Sequence, residues 1–210
     1  MDRNTFSQSD VRTTSSQTMK IAIVSALAIF VVAGVLSSGA LQVYAANLTL
    51  HVVPAKGNVN RVVKVSGGGF IPSATVTIKL QSKVVATVVV NSTGGFATTF
   101  KVPQSTAGVK TLTVSDGTNS ISRTFTVVSH ITLKPKSGLP GTILTVNGNG
   151  FAASSTVKIT FNGVQIKSIK SNSTGGYSTT FTVPNDAAAA YPVVATDGSK
   201  NTATATFTIT

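Results

Sequence analysis

Asn91 to Pro103 reads N-S-T-G-G-F-A-T-T-F-K-V-P, and Asn172 to Pro184 reads N-S-T-G-G-Y-S-T-T-F-T-V-P. The two stretches lie 81 residues apart, and the same spacing carried outward aligns Pro54 with Pro135 and Gly57 with Gly138. It also aligns V-x-V-S-G-G-G-F (Val63–Phe70) with L-T-V-N-G-N-G-F (Leu144–Phe151), and holds to Asp116-Gly117 and Asp197-Gly198, after which one residue is inserted. A period this long, written in short β-branched runs and turn residues, describes two tandem copies of a small β domain rather than a solenoid. The predicted class is all-β: two small sandwich domains, residues 46–129 and 130–210, behind an N-terminal segment, residues 1–45, that holds an apolar helix.

Within the first copy, Leu48 to Leu50 opens a strand that stops at Pro54, and Ala55 to Asn60 is predicted as a turn. Val62 to Ser66 alternates as the next strand, and Gly67-Gly68-Gly69 is expected to leave it as a turn or bulge, with Phe70 plugging the end of the sandwich. Val76, Ile78 and Leu80 alternate, Val84 to Val90 is a β-branched run, and Asn91 to Gly95 is predicted as a hairpin turn. Val109 to Val114 and Ile121 to Val128 form a last hairpin around Asp116-Gly117. The second copy repeats this plan, with Tyr177 in place of Phe96.

The N-terminal segment has a different composition. Met1 to Lys20 is polar and Ser/Thr-rich, and Ile21 to Leu36 is an uncharged apolar run directly after Lys20. Val43-Tyr44-Ala45 then offers a small-residue cleavage site before Ala46, which is the pattern of a secretory signal. The competing reading is a retained membrane anchor, because no charge appears between Lys20 and His51. Either way the positive flank places the N-terminus in the cytosol and the repeats outside, at the cell surface or in the medium. There is no cysteine, so no disulfide framework is available to these small cores.

Composition narrows the function classes. Charged residues are 10% of the chain, glutamate is absent and the formal net charge is +12. Such a balance favours anionic partners, above all the cell envelope or an anionic polysaccharide; nucleic acid fits poorly, because few aromatic residues are available for stacking. His51 and His130 have neither a carboxylate nor a second histidine at ligand spacing, and no cofactor or metal site is predicted. Asp116 and Asp197 each sit in D-G, whose simplest explanation is turn chemistry. The chain therefore reads as non-enzymatic.

The opening of the second copy adds a resemblance. Pro135-x-x-Gly138-x-x-Gly141-Thr142, Leu144-x-Val146-x-Gly148-x-Gly150-Phe151 and Val157-x-Ile159-x-Phe161-x-Gly163 resemble the IPT/TIG type of immunoglobulin-like repeat of bacterial and archaeal secreted and surface proteins. The first copy departs from the pattern at Asn60 and Ser82. A similar opening occurs in the antibiotic carriers related to neocarzinostatin, whose cysteines are missing here. What the resemblance implies is an extracellular spacer or adhesion module. The alternative is a carrier for a glycan or small ligand in a cleft near Phe70 or Phe151; an accessory domain of a hydrolase is a remote third reading.

Two further sets of residues are candidates. Asn47, Asn91 and Asn172 each begin an N-x-S/T sequon, the last two in the repeated turn, where N-S-T-G-G is also good turn sequence. Val84, Val85, Ala86, Val88, Val89 and Val90 form an uncharged strand whose aligned partner, Gln165 to Ser171, carries Lys167 and Lys170. An apolar strand without such charges is expected to be covered, by the neighbouring repeat or through self-association.

Overall fold

The computed structural model describes residues 47–210. The apolar run Ile21 to Leu36, expected to direct export, and the expected cleavage site between Ala45 and Ala46 lie outside the described residues. Among the described residues no helix is long and apolar enough to cross a membrane.

The first repeat contains β1 (Thr49–Val53), β2 (Lys56–Gly57), β3 (Val62–Gly68), β4 (Thr75–Leu80), β5 (Lys83–Val89), β6 (Phe96–Lys101), β7 (Gly108–Ser115) and β8 (Ser120–Val127). The second repeats the set as β9 (His130–Lys134), β10 (Ser137–Gly138), β11 (Ile143–Asn149), β12 (Thr156–Phe161), β13 (Val164–Lys170), β14 (Tyr177–Thr182), β15 (Ala190–Asp197) and β16 (Thr202–Ile209). Each repeat forms a three-stranded sheet, ordered β1-β3-β6 or β9-β11-β14, and a five-stranded sheet, ordered β2-β8-β7-β4-β5 or β10-β16-β15-β12-β13. This is an immunoglobulin-like sandwich, built twice.

The period of two explains the core. On β4 the inward residues Val76, Ile78 and Leu80 are buried while Thr75 and Lys79 face solvent. They meet Val63 and Val65 of β3, Phe100 of β6 and Phe125 of β8 in one apolar cluster. The second repeat assembles Leu144, Val146, Val157, Ile159, Phe161 and Phe207 in the same way.

Three expectations are corrected. Lys56–Gly57 lies in the predicted turn but pairs in parallel with Thr126–Val127, as Ser137–Gly138 does with Thr208–Ile209. Gly67 and Gly68 do not leave their strand: they pair with Leu50 and Thr49, and a side chain at Gly67 would strike the Thr49 carbonyl oxygen. Glycine is required there because two backbones and the Phe96 ring approach closely, not because the chain turns. The turn comes one residue later, at Gly69, where φ is +85°. Lastly, Asn91–Gly95 is not a hairpin, because β5 and β6 belong to different sheets and the loop carries the chain across the sandwich.

Candidate functional site

At one pole of each repeat three loops converge, and the repeated sequence builds their contacts. The Asn91 Oδ1 atom accepts hydrogen bonds from Thr93 N (3.1 Å), Thr93 Oγ1 (2.8 Å) and Gly95 N (2.8 Å). Asn172 does the same with Thr174 and Gly176. The loop so fixed presents a carbonyl to the next one: Phe70 N donates to Gly94 O at 3.1 Å, and Phe151 N to Gly175 O at 3.0 Å. Only glycine allows this approach. Gly94 and Gly175 have φ of +81° and +76°, and a Cβ on Gly175 would collide with the Phe151 oxygen.

The third loop is held by a carboxylate. Asp116 Oδ2 accepts from Ile71 N (3.0 Å) and Asn119 Nδ2 (3.0 Å), while Oδ1 accepts from the backbone of Thr118 and Asn119. Asp197 repeats this, with Oδ2 taking Ala152 N at 2.6 Å and Asn201 Nδ2 at 2.8 Å, and Oδ1 taking the backbone of Ser199 and Asn201. Desolvation by itself raises a carboxyl pKa. Here the hydrogen bonds from Asn119, Ile71 and Thr118 outweigh it and hold Asp116 at about 2. Asp197, buried more deeply, is likewise held below the usual carboxylate range by Ala152, Asn201 and Ser199. Both groups are occupied anions tying loops together, and neither is free for proton transfer.

Beside Phe70 this pole carries a cleft of about 550 Å³, lined among others by Asn47, Phe70, Ile71, Pro72, Thr93 and Asn119. Phe70 forms its floor, buried edge-on against Phe96 with ring centroids 5.4 Å apart. At the corresponding pole of the second repeat Phe151 is fully buried, and the connector lies over Gly150: Ser129 Oγ donates to the Gly150 oxygen at 2.8 Å.

The basic side chains are distributed differently. From Lys56 to Thr210 there are fourteen Lys and Arg against Asp116, Asp186 and Asp197. All of the fourteen are exposed except half-buried Lys110. On the outer face of β1-β3-β6, Lys64 stands opposite Val53 and Thr99, and Lys101 opposite Val62. On the second repeat Lys158 of β12 stands opposite Ser168 of β13 and Thr196 of β15, and Lys170 opposite Thr156. His51 faces Ser66 and His130 faces Asn149, both exposed and far apart in sequence.

Strand β5, uncharged after Lys83, is an edge strand that among the described residues pairs only with β4. A bulge opposite Ile78 and Lys79 turns Val85 and Ala86 both toward the core, where with Val88 they are half-buried, while Val84 and Val89 are 50% and 63% exposed. Among the described residues nothing covers those two valines, the neighbouring repeat included. The sequon residues Asn47, Asn91 and Asn172 are exposed.

Sequence reasoning missed three contributors. The loop-to-loop bond of each aspartate spans 45 residues, and only its recurrence at equivalent places could have signalled it. Ser171, which replaces Val90, is buried, donates to Ala152 O at 2.6 Å and accepts from Ser155 N at 3.0 Å. The Tyr177 hydroxyl is buried without a hydrogen-bond partner among the described residues, and desolvation pushes its pKa well above that of a free phenol.

The fold defines a tandem pair of immunoglobulin-like sandwiches, each closed at one pole by the same three loops. The IPT/TIG domain model matches residues 126–210, so the second repeat carries an IPT/TIG domain, as its glycine pattern implies. Solved structures similar to the chain include the D0-D1 domain of intimin, at 12% identity and TM-score 0.31, over 77% of this chain and 98% of that one. The Yersinia pseudotuberculosis adhesin InvE matches at 14% identity and TM-score 0.36, over 78% of this chain and 58% of that one. Invasin, a bacterial integrin-binding protein, matches at 15% identity and TM-score 0.37, over 78% of this chain and 39% of that one. No curated protein matches the sequence.

Proposed function

We propose that this chain is a non-enzymatic, exported structural or adhesive module that holds anionic polymer of a cell envelope against its basic surface. The observation that carries the reading is the asymmetry of charge. Thirteen of fourteen Lys and Arg side chains stand exposed, whereas two of three aspartates in the repeats are spent on backbone N–H groups. The surface field is thus positive and uncompensated, which draws polyanions at low ionic strength. In the same reading the two sandwiches, residues 46–129 and 130–210, act as a spacer outside the cell. Residues 1–45 direct export, by cleavage after Ala45 or as an anchor, and Asn47, Asn91 and Asn172 are glycan acceptors. Fractionation of the host tests it: the chain belongs with the envelope or the medium, and N-terminal sequencing together with intact mass reads the cleavage and the glycans. Full-length chain, soluble in the cytosol, would refute it.

A second reading is favoured by the cleft beside Phe70, whose apolar floor and about 550 Å³ suit a small ligand or a sugar. A ligand retained in native mass spectrometry of the purified chain would support a carrier.

A further inference from the structure

Two copies of one scaffold serve as controls for each other: a residue type present in one and absent from the other is not demanded by the fold. Lys158, Lys167 and Lys170 occupy positions where the first repeat has Thr77, Ala86 and Val89. All three lysines lie on β12 and β13, at the open edge of the five-stranded sheet, and all are exposed. Lys158 and Lys170 share the outer face as diagonal neighbours, since Lys158 is opposite Ser168 and Lys170 opposite Thr156. At that separation on adjacent strands, about 7 Å between Cα atoms, both ammonium groups reach one extended ligand. Lys167 is opposite Ile159, on the core-facing side of the strand, yet it is exposed, and a lysine stem is long enough to bring its charge to solvent beside the sheet edge. No acidic residue lies on β12 or β13, and Asp197 at the end of β15 is buried and already bonded.

We infer that the β12–β13 edge of the second repeat is an anion-binding track for an acidic polysaccharide. The inference rests on the proposed function and gives it a location. Three charges along one edge match a linear chain of fixed negative groups, and the intervening Thr156, Thr160, Ser168 and Thr196 supply hydroxyls of the kind that bond to sugar hydroxyls. The edge position adds backbone N–H groups of β13 that pair with no strand among the described residues, as further donors. No aromatic side chain lies on the outer face of these strands to stack a nucleic-acid base, so the track suits a saccharide better than a single strand of DNA.

The sister repeat supplies the test. In the full chain, Lys158→Thr, Lys167→Ala and Lys170→Val together install the residues of the first repeat. As a control of equal charge, Lys56→Ser, Lys64→Thr and Lys101→Thr install those of the second. Binding to heparin and to alginate is measured at low salt, with thermal unfolding as the check that each variant folds. The track variant is expected to bind about tenfold more weakly than the parent, and the control less than about threefold. Equal losses in the two variants would overturn the location while leaving a general basic surface. A parent that neither polymer retains would overturn the proposed function itself, and single-stranded DNA bound more tightly than alginate would overturn the assignment to a polysaccharide.

Discussion

The Asp197 Oδ2 atom accepts the Ala152 backbone N–H at 2.6 Å, and Asp116 accepts Ile71 in the same way at 3.0 Å. Each bond joins the last hairpin turn of a sandwich to the loop after its glycine-rich strand, so the D-G sequence does more than turn the chain. Asp197→Asn places an amide donor against the Ala152 donor and is expected to lower stability by about 2 to 3 kcal/mol; Asp116→Asn, less buried, by about 1 to 2. Chemical denaturation of both variants reads the difference.

The same carboxylates make stability depend on acid. Asp116 titrates at about 2 in the folded chain against an ordinary value of 3.8, so its contribution is complete above about pH 4 and is lost as pH falls toward 2. Thermal unfolding should show a falling Tm over that window in the parent and a flatter profile in Asp116→Asn.

Tyr177→Phe should raise stability by about 1 kcal/mol, because it removes a buried hydroxyl with no partner and installs the residue used at Phe96. The sign at high pH follows from the raised phenol pKa. Stability is full below pH 10, falls above it as the unfolded chain ionises first, and loses that component in the variant.

Gly175→Ala and Gly117→Ala both put a side chain at positive φ, but only the first also meets backbone, the Phe151 oxygen. The expected costs are about 3 kcal/mol or more for Gly175→Ala and about 1 for Gly117→Ala. Equal costs would mean that the loop contact contributes nothing.

Strand β5 is proposed to pair with or pack against a second molecule. Its sister β13 is guarded by Lys170 and by Lys167 on the core-facing side of the edge, a device that discourages edge pairing, whereas β5 has a bulge and a charge only at its first residue, Lys83, with none from Val84 to Val89. Ala86→Lys with Val89→Lys should leave thermal unfolding unchanged while weakening association in sedimentation. Unchanged sedimentation refutes the idea.

Much of this architecture was legible because alternation and duplication are local signals. Val76, Ile78 and Leu80 could be placed inward from spacing alone, and the β7–β8 hairpin followed from Asp116-Gly117 between apolar runs. What escaped depends on which strands become neighbours. The parallel pairing of Lys56–Gly57, the Gly67 contact with Thr49 and the reach of Asp197 to Ala152 are long-range, and no periodicity encodes them. The basic edge was half visible: Lys167 and Lys170 stood out by alignment, but Lys158 joins them only because β12 pairs with β13.

Adhesion of the full chain to anionic envelope polymer through its basic surface can be read from its binding to isolated envelopes of its host across ionic strength. Retention is expected to be strong at low salt and to fall steeply by about 0.15 M, where the screening length shrinks to about 8 Å. Retention that does not change over that range would contradict it.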